Sequence, residues 1–220
     1  MSFVLGIDIG TSFSAAAVAR LDGSGQSAPQ VLNLGVRGGA VPSVIFLGED
    51  GHVLVGEAAE RRGTTHPDRL VREFKRRVGD AVPIVVGELC VAPEDIVATM
   101  ARWVVDRAQE REGEPPAAVA IAHPASWGGY KRDLIRQALA GVGLSDVTLV
   151  SEPEAAMAFR EVRRRDGMRG RRGELVVVPD DEAVEGVSLV QRSVHTHRAG
   201  GGRIPESSRW SRCLPAPSTT

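Results

Sequence analysis

Lysine is nearly missing from this chain: of its 27 basic residues only Lys75 and Lys131 are lysines, and the rest are arginines. Any chemistry that needs a compact ammonium group therefore has two candidates. Cysteine is as scarce, with Cys90 and Cys213 alone. Two residues so far apart in sequence make neither a disulfide framework nor a metal knuckle, and the ordinary reading is a buried core thiol and an incidental one in a reducing compartment. No apolar run approaches the roughly 18 residues that cross a bilayer. The opening from Met1 to Asp8 carries no basic leader and meets an aspartate too early for a signal peptide, so a soluble cytoplasmic protein is expected. A surplus of either charge is lacking as well. The 27 basic and 28 acidic residues leave a net charge of -1, which gives no global pull toward nucleic acid or an anionic membrane.

What is present is a globular balance, with 42% hydrophobic and 25% charged residues in 220. That length suits one full domain, or one domain and an appendage. Apolar runs of strand length occur at Phe3 to Ile9 and Ser14 to Leu21, separated by Gly10-Thr11-Ser12-Phe13. Further extended pieces are expected around Val31 to Leu34 and Ser43 to Leu47. Helices are expected over Gly56 to Arg62 and Asp68 to Val78. A longer one is expected from Pro93 to about Gly113, where Ile96, Val97, Met100, Val104 and Ala108 form one apolar stripe behind an acidic first turn. Strand, helix, strand, helix follow at Ala117 to Ala122, Tyr130 to Leu139, Val147 to Val150 and Glu154 to Arg164. Leu175 to Val178 reads as a further strand.

The texture then changes. Residues 179–220 hold four prolines, four glycines and six serines without periodicity, the composition of a poorly packed or disordered tail. Seven arginines against two acids in residues 160–173 read either as a solvated helix end or as a polyanion contact. His195 and His197 lack the further ligands that a zinc site needs.

The pieces with chemical content lie earlier. Asp8-Ile9-Gly10-Thr11-Ser12 sets an acid at a strand end and a glycine with two hydroxyl residues in the following turn. Such a turn is either an ordinary hairpin or an anion-binding concavity, and the aspartate beside it suits magnesium, which prefers oxygen ligands. Lys75 sits in Phe74-Lys75-Arg76-Arg77-Val78-Gly79. Glu152 stands between a strand and a helix, where a carboxylate is commonly a helix-start partner.

Taken in order, Gly6 to Ser12, Val41-Pro42-Ser43, Phe74 to Gly79, His123-Pro124-Ala125, Tyr130-Lys131-Arg132 and Ser151-Glu152-Pro153-Glu154-Ala155-Ala156 resemble the seventy-kilodalton heat-shock chaperones of DnaK type. These belong to the actin and sugar-kinase superfamily of ATPases. The resemblance runs from residue 4 to about 178. It implies an α/β, ribonuclease-H-like (actin-like ATPase) lobe with a mixed sheet and flanking helices at 1–178, and an atypical tail at 179–220. It also implies ATP and magnesium as cofactors. Asp8 would hold the hydrated metal, Gly10, Thr11 and Ser12 would line the phosphates, Lys75 would position the attacking water, and Glu152 would orient it or take its proton. Pro124 and Arg132 would belong to a switch that relays nucleotide state, and unfolded clients and co-chaperones would be partners.

The family's second phosphate motif is expected just after Val178, where this chain reads Pro179-Asp180-Asp181-Glu182-Ala183-Val184-Glu185-Gly186. Without a glycine run, and with acids that repel phosphate, hydrolysis is expected to be weak. A reading-frame change near residue 179 is one explanation. A non-catalytic interaction module and an actin-like filament protein stand as alternatives. A lobe without its opposing half is expected to self-associate through its exposed face.

Overall fold

The computed structural model describes residues 2–22, 25–26, 29–36, 38–155 and 211–212. Its strands are β1 (Phe3–Ile9), β2 (Phe13–Asp22), β3 (Gly25–Gln26), β4 (Gln30–Val31), β5 (Val41–Pro42), β6 (Ile45–Leu47) and β7 (Val53–Val55). They continue with β8 (Leu70–Val71), β9 (Ile84–Val86), β10 (Leu89–Val91), β11 (Ala118–His123), β12 (Val147–Ser151) and β13 (Ser211–Arg212). The helices are α1 (Glu57–Gly63), α2 (Pro93–Glu112) and α3 (Gly129–Gly141), and residues 152–155 begin another.

The main sheet runs β12-β11-β1-β2-β3, with β4 and β5 also paired to β2. β1 and β2 are antiparallel from Phe3↔Arg20 to Ile9↔Ser14, whereas β1, β11 and β12 are mutually parallel. This is the mixed α/β architecture of the ribonuclease-H-like, actin-type lobe. β1 is buried at all its positions because both faces of the sheet are covered. Phe3, Leu5, Ile7 and Ile9 share one core with Ile96, Met100 and Val104 of α2 and with Ile135 and Leu139 of α3. Val4 points the other way, toward Ala17, Ala19 and Ala118. Fully burying each large aliphatic side chain contributes about 1.5–3 kcal/mol, and with few aromatics available the main core is built largely from such residues.

α2 follows its sequence signals. Pro93 opens it, Glu94 and Asp95 occupy the first turn, and Gly113 at φ 83 closes it. Its last residue is clamped from the sheet, because Arg20 donates from Nε to Glu112 Oε2 at 2.7 Å and from Nη2 to Oε1 at 2.8 Å.

Residues 68–78 depart from the expected helix. A 3-10 turn (Pro67–Arg69), strand β8 and a second 3-10 turn (Phe74–Arg77) replace it. The periodic apolar residues serve two other purposes: Leu70 and Val71 pair with Phe46 and Ile45 of β6, and Phe74 and Val78 anchor in the main core. Glu73, left-handed at φ 52, breaks the helical path between them. The extended piece expected at Val31 to Leu34 shortens to β4 and the one expected at Ser43 to Leu47 is found as β6, whereas its hairpin partner β7 and the β9–β10 hairpin fall below the length at which periodicity is readable. Cys90 is half-buried and disulfide-bonded, not a free core thiol. The expected helix from Glu154 to Arg164 has its first two residues, Glu154 and Ala155, in helix; its remainder, the strand Leu175 to Val178, the arginine run, the boundary at 178 and 179, Cys213, His195 and His197 lie outside the described residues. Within the tail, Ser211–Arg212 pairs antiparallel with Leu89–Cys90.

Candidate active site

Parallel strands side by side bring their carboxyl ends to one rim of the sheet, the usual place for ligands in α/β proteins. Here the rim receives Asp8 and Gly10 from the end of β1, His123 and Pro124 from the end of β11, and Ser151 and Glu152 from the end of β12. β11 lies between the other two, so Asp8 and Glu152 stand two strands apart. Lys75 bridges them: its Nζ donates to Glu152 Oε1 at 2.8 Å and lies 4.0 Å from Asp8 Oδ1. Asp8 is 3% and Lys75 6% exposed, while the Glu152 side chain is 28% exposed. Three residues separated by 67 and 77 positions in sequence thus form one cluster. Lys75 is steered there by its neighbours, since Phe74 on one side and Val78 on the other are both locked in the core. At Gly79 the backbone takes φ 82, and the aliphatic stem of Lys131 runs across it.

The turn after Asp8 is held from behind. Gly10 N–H donates to the Phe13 carbonyl at 3.0 Å, and Ser43 N–H donates to the Ser12 carbonyl at 2.8 Å. The buried hydroxyls of Ser14 and Ser43 meet at 2.8 Å. Gly10 is buried, Thr11 half-buried and Ser12 exposed. Among the described residues no hydrogen bond engages the Thr11 or Ser12 amide, which leaves two donors in a tight turn beside a carboxylate.

Glu152 is relieved of the capping duty that the sequence left open. Glu154 reaches back to Ser151: Ser151 N–H donates to Glu154 Oε2 at 3.2 Å, which is the carboxylate half of a capping box, and Ser151 Oγ donates to the same oxygen at 2.8 Å. Glu154 therefore serves the helix start, and Glu152 faces Lys75.

Pro124 lies half-buried on the same rim. Its carbonyl accepts from His123 Nδ1 at 2.9 Å and from the Trp127 amide at 3.0 Å, and the His123 and Trp127 rings stack with centroids 6.1 Å apart. Arg132, in the first turn of α3, makes no hydrogen bond to Asp8, Lys75 or Glu152; its Nε is buried with no partner among the described residues. The structure thus gathers Asp8, the Gly10 to Ser12 turn, Lys75, Glu152 and Pro124 at one rim and leaves Arg132 outside the ionic cluster. His123 was singled out in the sequence only as part of the His123-Pro124-Ala125 stretch, with no role of its own, and nothing there marked Trp127 or the hydroxyl pair Ser14 and Ser43, 29 residues apart.

A cavity of about 910 Å³ lies elsewhere. It is bounded by Trp103 and Asp106 of α2 and by Val119 and Val147 at the opposite ends of β11 and β12. A smaller one, about 260 Å³, sits at the β6–β7 hairpin beside His52 and Asp50, where a hydrogen bond from His52 holds the Asp50 carboxyl below its usual value. Neither touches the ionic cluster. Among the described residues no three metal-ligating side chains cluster, and no helix is long and apolar enough to cross a membrane.

Comparison with known proteins points the same way. The model of the Hsp70 protein family matches residues 4–89. The chaperone protein DnaK of Cenarchaeum symbiosum is 33% identical over 170 residues, 77% of this chain and 26% of its own. The DnaK proteins of Endomicrobium trichonymphae (33% over 156 residues, 71% and 25%) and Methanothermobacter thermautotrophicus (34% over 153 residues, 70% and 26%) are similar to it over comparable stretches. The chain spans about a quarter of the length of these curated relatives.

The turn that carries Lys75 gives a direct test. Gly79→Ala puts a Cβ at a left-handed position and within 3.2 Å of the Lys131 stem. The backbone penalty is about 1–2 kcal/mol, with the flexible stem yielding. Urea unfolding should show a loss of that size, and an unchanged midpoint would contradict this account of the turn.

Proposed function

The chain belongs to the Hsp70 family over the matched stretch, and on that premise we propose that it is the ATP-binding lobe of a DnaK-type chaperone ATPase, with residues 1–178 as the lobe and 179–220 as an appended tail. The observation that carries the reading is the convergence of Asp8, Lys75 and Glu152 on one rim, around a glycine turn with two uncommitted amides. That donor set suits a polyphosphate with magnesium. The Thr11 and Ser12 amides and hydroxyls supply directed hydrogen bonds to phosphate oxygens. Asp8 supplies one oxygen for a cation that keeps most of its own waters, so a lone carboxylate suffices. Magnesium, when bound, would neutralise charge on the phosphates.

In this reading the protein groups position and stabilise rather than react covalently, as phosphoryl transfer requires. Lys75, nearly dry between two carboxylates, presents a fixed positive charge to the terminal phosphate. Glu152, partly open to solvent, orients a water or takes its proton. Pro124, tied through its carbonyl to His123 and Trp127, is placed to feel changes at the rim, and Arg132 is assigned to the same relay. Hydrolysis by these residues is expected to be slow, because the acidic Pro179 to Gly186 segment offers no second glycine turn to close over the phosphates and exclude water. Stress response, chaperoning of unfolded clients, co-chaperone binding and a cytoplasmic site of action belong to this proposal through the family.

Isothermal titration of the full chain with magnesium ATP tests the binding. Micromolar affinity is expected, falling at least tenfold in Asp8→Asn with circular dichroism unchanged; no heat at millimolar nucleotide, or an unaffected variant, contradicts it. The proposed self-association through the lobe face is read separately by sedimentation velocity. A concentration-dependent rise in mass is expected, and a strict monomer at all concentrations contradicts it.

A further inference from the structure

Two facts outside the ionic cluster belong together. Strand β13, Ser211–Arg212, adds itself to the edge of the β9–β10 hairpin, with Leu89 opposite Arg212 and Cys90 opposite Ser211. Cys90 is disulfide-bonded, and the sequence holds one other cysteine, Cys213, which is the next residue after that strand. We propose that Cys90 and Cys213 form a reversible disulfide that latches the carboxy-terminal segment onto the β9–β10 hairpin, so that this end of the chain responds to the thiol redox state of its surroundings.

The hairpin is a firm anchor for such a latch. Val86 and Val91 are 1% exposed, and both belong to the main core, while Cys90 between them is only half-buried and within reach of a small oxidant. A two-residue strand holds weakly by itself, since few ladder bonds must offset the ordering of a chain segment distant in sequence. A covalent link next to the paired residues removes that cost from every later docking event. Reduction leaves β13 on backbone pairing alone.

The oxidant is a low-molecular-weight disulfide of the glutathione class. One cysteine thiolate attacks it, forming a mixed disulfide and expelling one glutathione thiolate. The second cysteine thiolate then attacks the protein sulfur of that mixed disulfide and expels the second glutathione. Two protein thiols lose two electrons and two protons, and one glutathione disulfide becomes two thiols.

The test equilibrates the full chain in buffers of graded glutathione to glutathione disulfide ratio, traps thiols by alkylation, and reads intact mass, peptide mapping and non-reducing gels. A monomer lacking two hydrogens, a Cys90–Cys213 linked peptide and a sigmoidal two-electron transition are expected. Hydrogen exchange at Leu89 and Cys90 should be slower in the oxidised than in the reduced form. Cys213→Ser should abolish the link and the exchange difference while keeping the reduced chain's circular dichroism, and Cys90→Ser should do the same for the link. Disulfide-linked dimers, glutathione adducts without an internal link, a link that persists at every ratio, or exchange indifferent to oxidation would each overturn the proposal.

Discussion

An ammonium group only 6% exposed has lost most of its water and needs protein oxygens in their place, and the rim is organised around that constraint. Lys75 meets Glu152 at 2.8 Å and approaches Asp8 at 4.0 Å. Removing one partner of such a set leaves charge uncompensated in a poorly solvated place, which typically costs about 3–5 kcal/mol. The arrangement is therefore poor evidence of stability sought for its own sake, since an apolar trio would hold the fold as well. It makes sense as charge held ready beside a turn with open amides.

The sheet makes the meeting possible. Asp8 and Glu152 are brought within reach of one side chain because β1, β11 and β12 run parallel and end together, and Lys75 is delivered from outside the sheet by a 3-10 turn pinned at Phe74 and Val78. The opposite ends of β11 and β12 border the 910 Å³ cavity, but its mixture of Arg102, Asp106, Arg107 and Glu110 around Trp103 has no convergence of one charge sign. Volume alone does not mark the site; the distribution of charge and donors does.

Much of this was legible in the residues. The long helix declared itself through Pro93, its acidic first turn and Gly113, and the strands β1, β2, β11 and β12 through apolar runs of the right length. Asp8, Gly10, Lys75 and Glu152 were legible as separate pieces, and family resemblance joined them. What could not be read was anything set by tertiary partners. Leu70, Val71, Phe74 and Val78 keep helical spacing yet split between a strand pairing and two core anchors. The Glu154 carboxylate takes both the amide and the hydroxyl of Ser151, so the capping role first weighed for Glu152 falls to Glu154. The Cys90 bond was missed because distance along the chain says little about distance in space when a terminal segment returns to a hairpin.

The most direct test of the central claim, that the Asp8–Lys75–Glu152 rim receives a metal–nucleotide complex, replaces magnesium with paramagnetic manganese(II) and follows assigned backbone amide resonances as ATP is added. The account predicts ATP-dependent broadening concentrated at Gly10, Thr11 and Ser12, with Trp103 and Val147 beside the large cavity little changed. Broadening centred on that cavity, or none at the glycine turn, would contradict it.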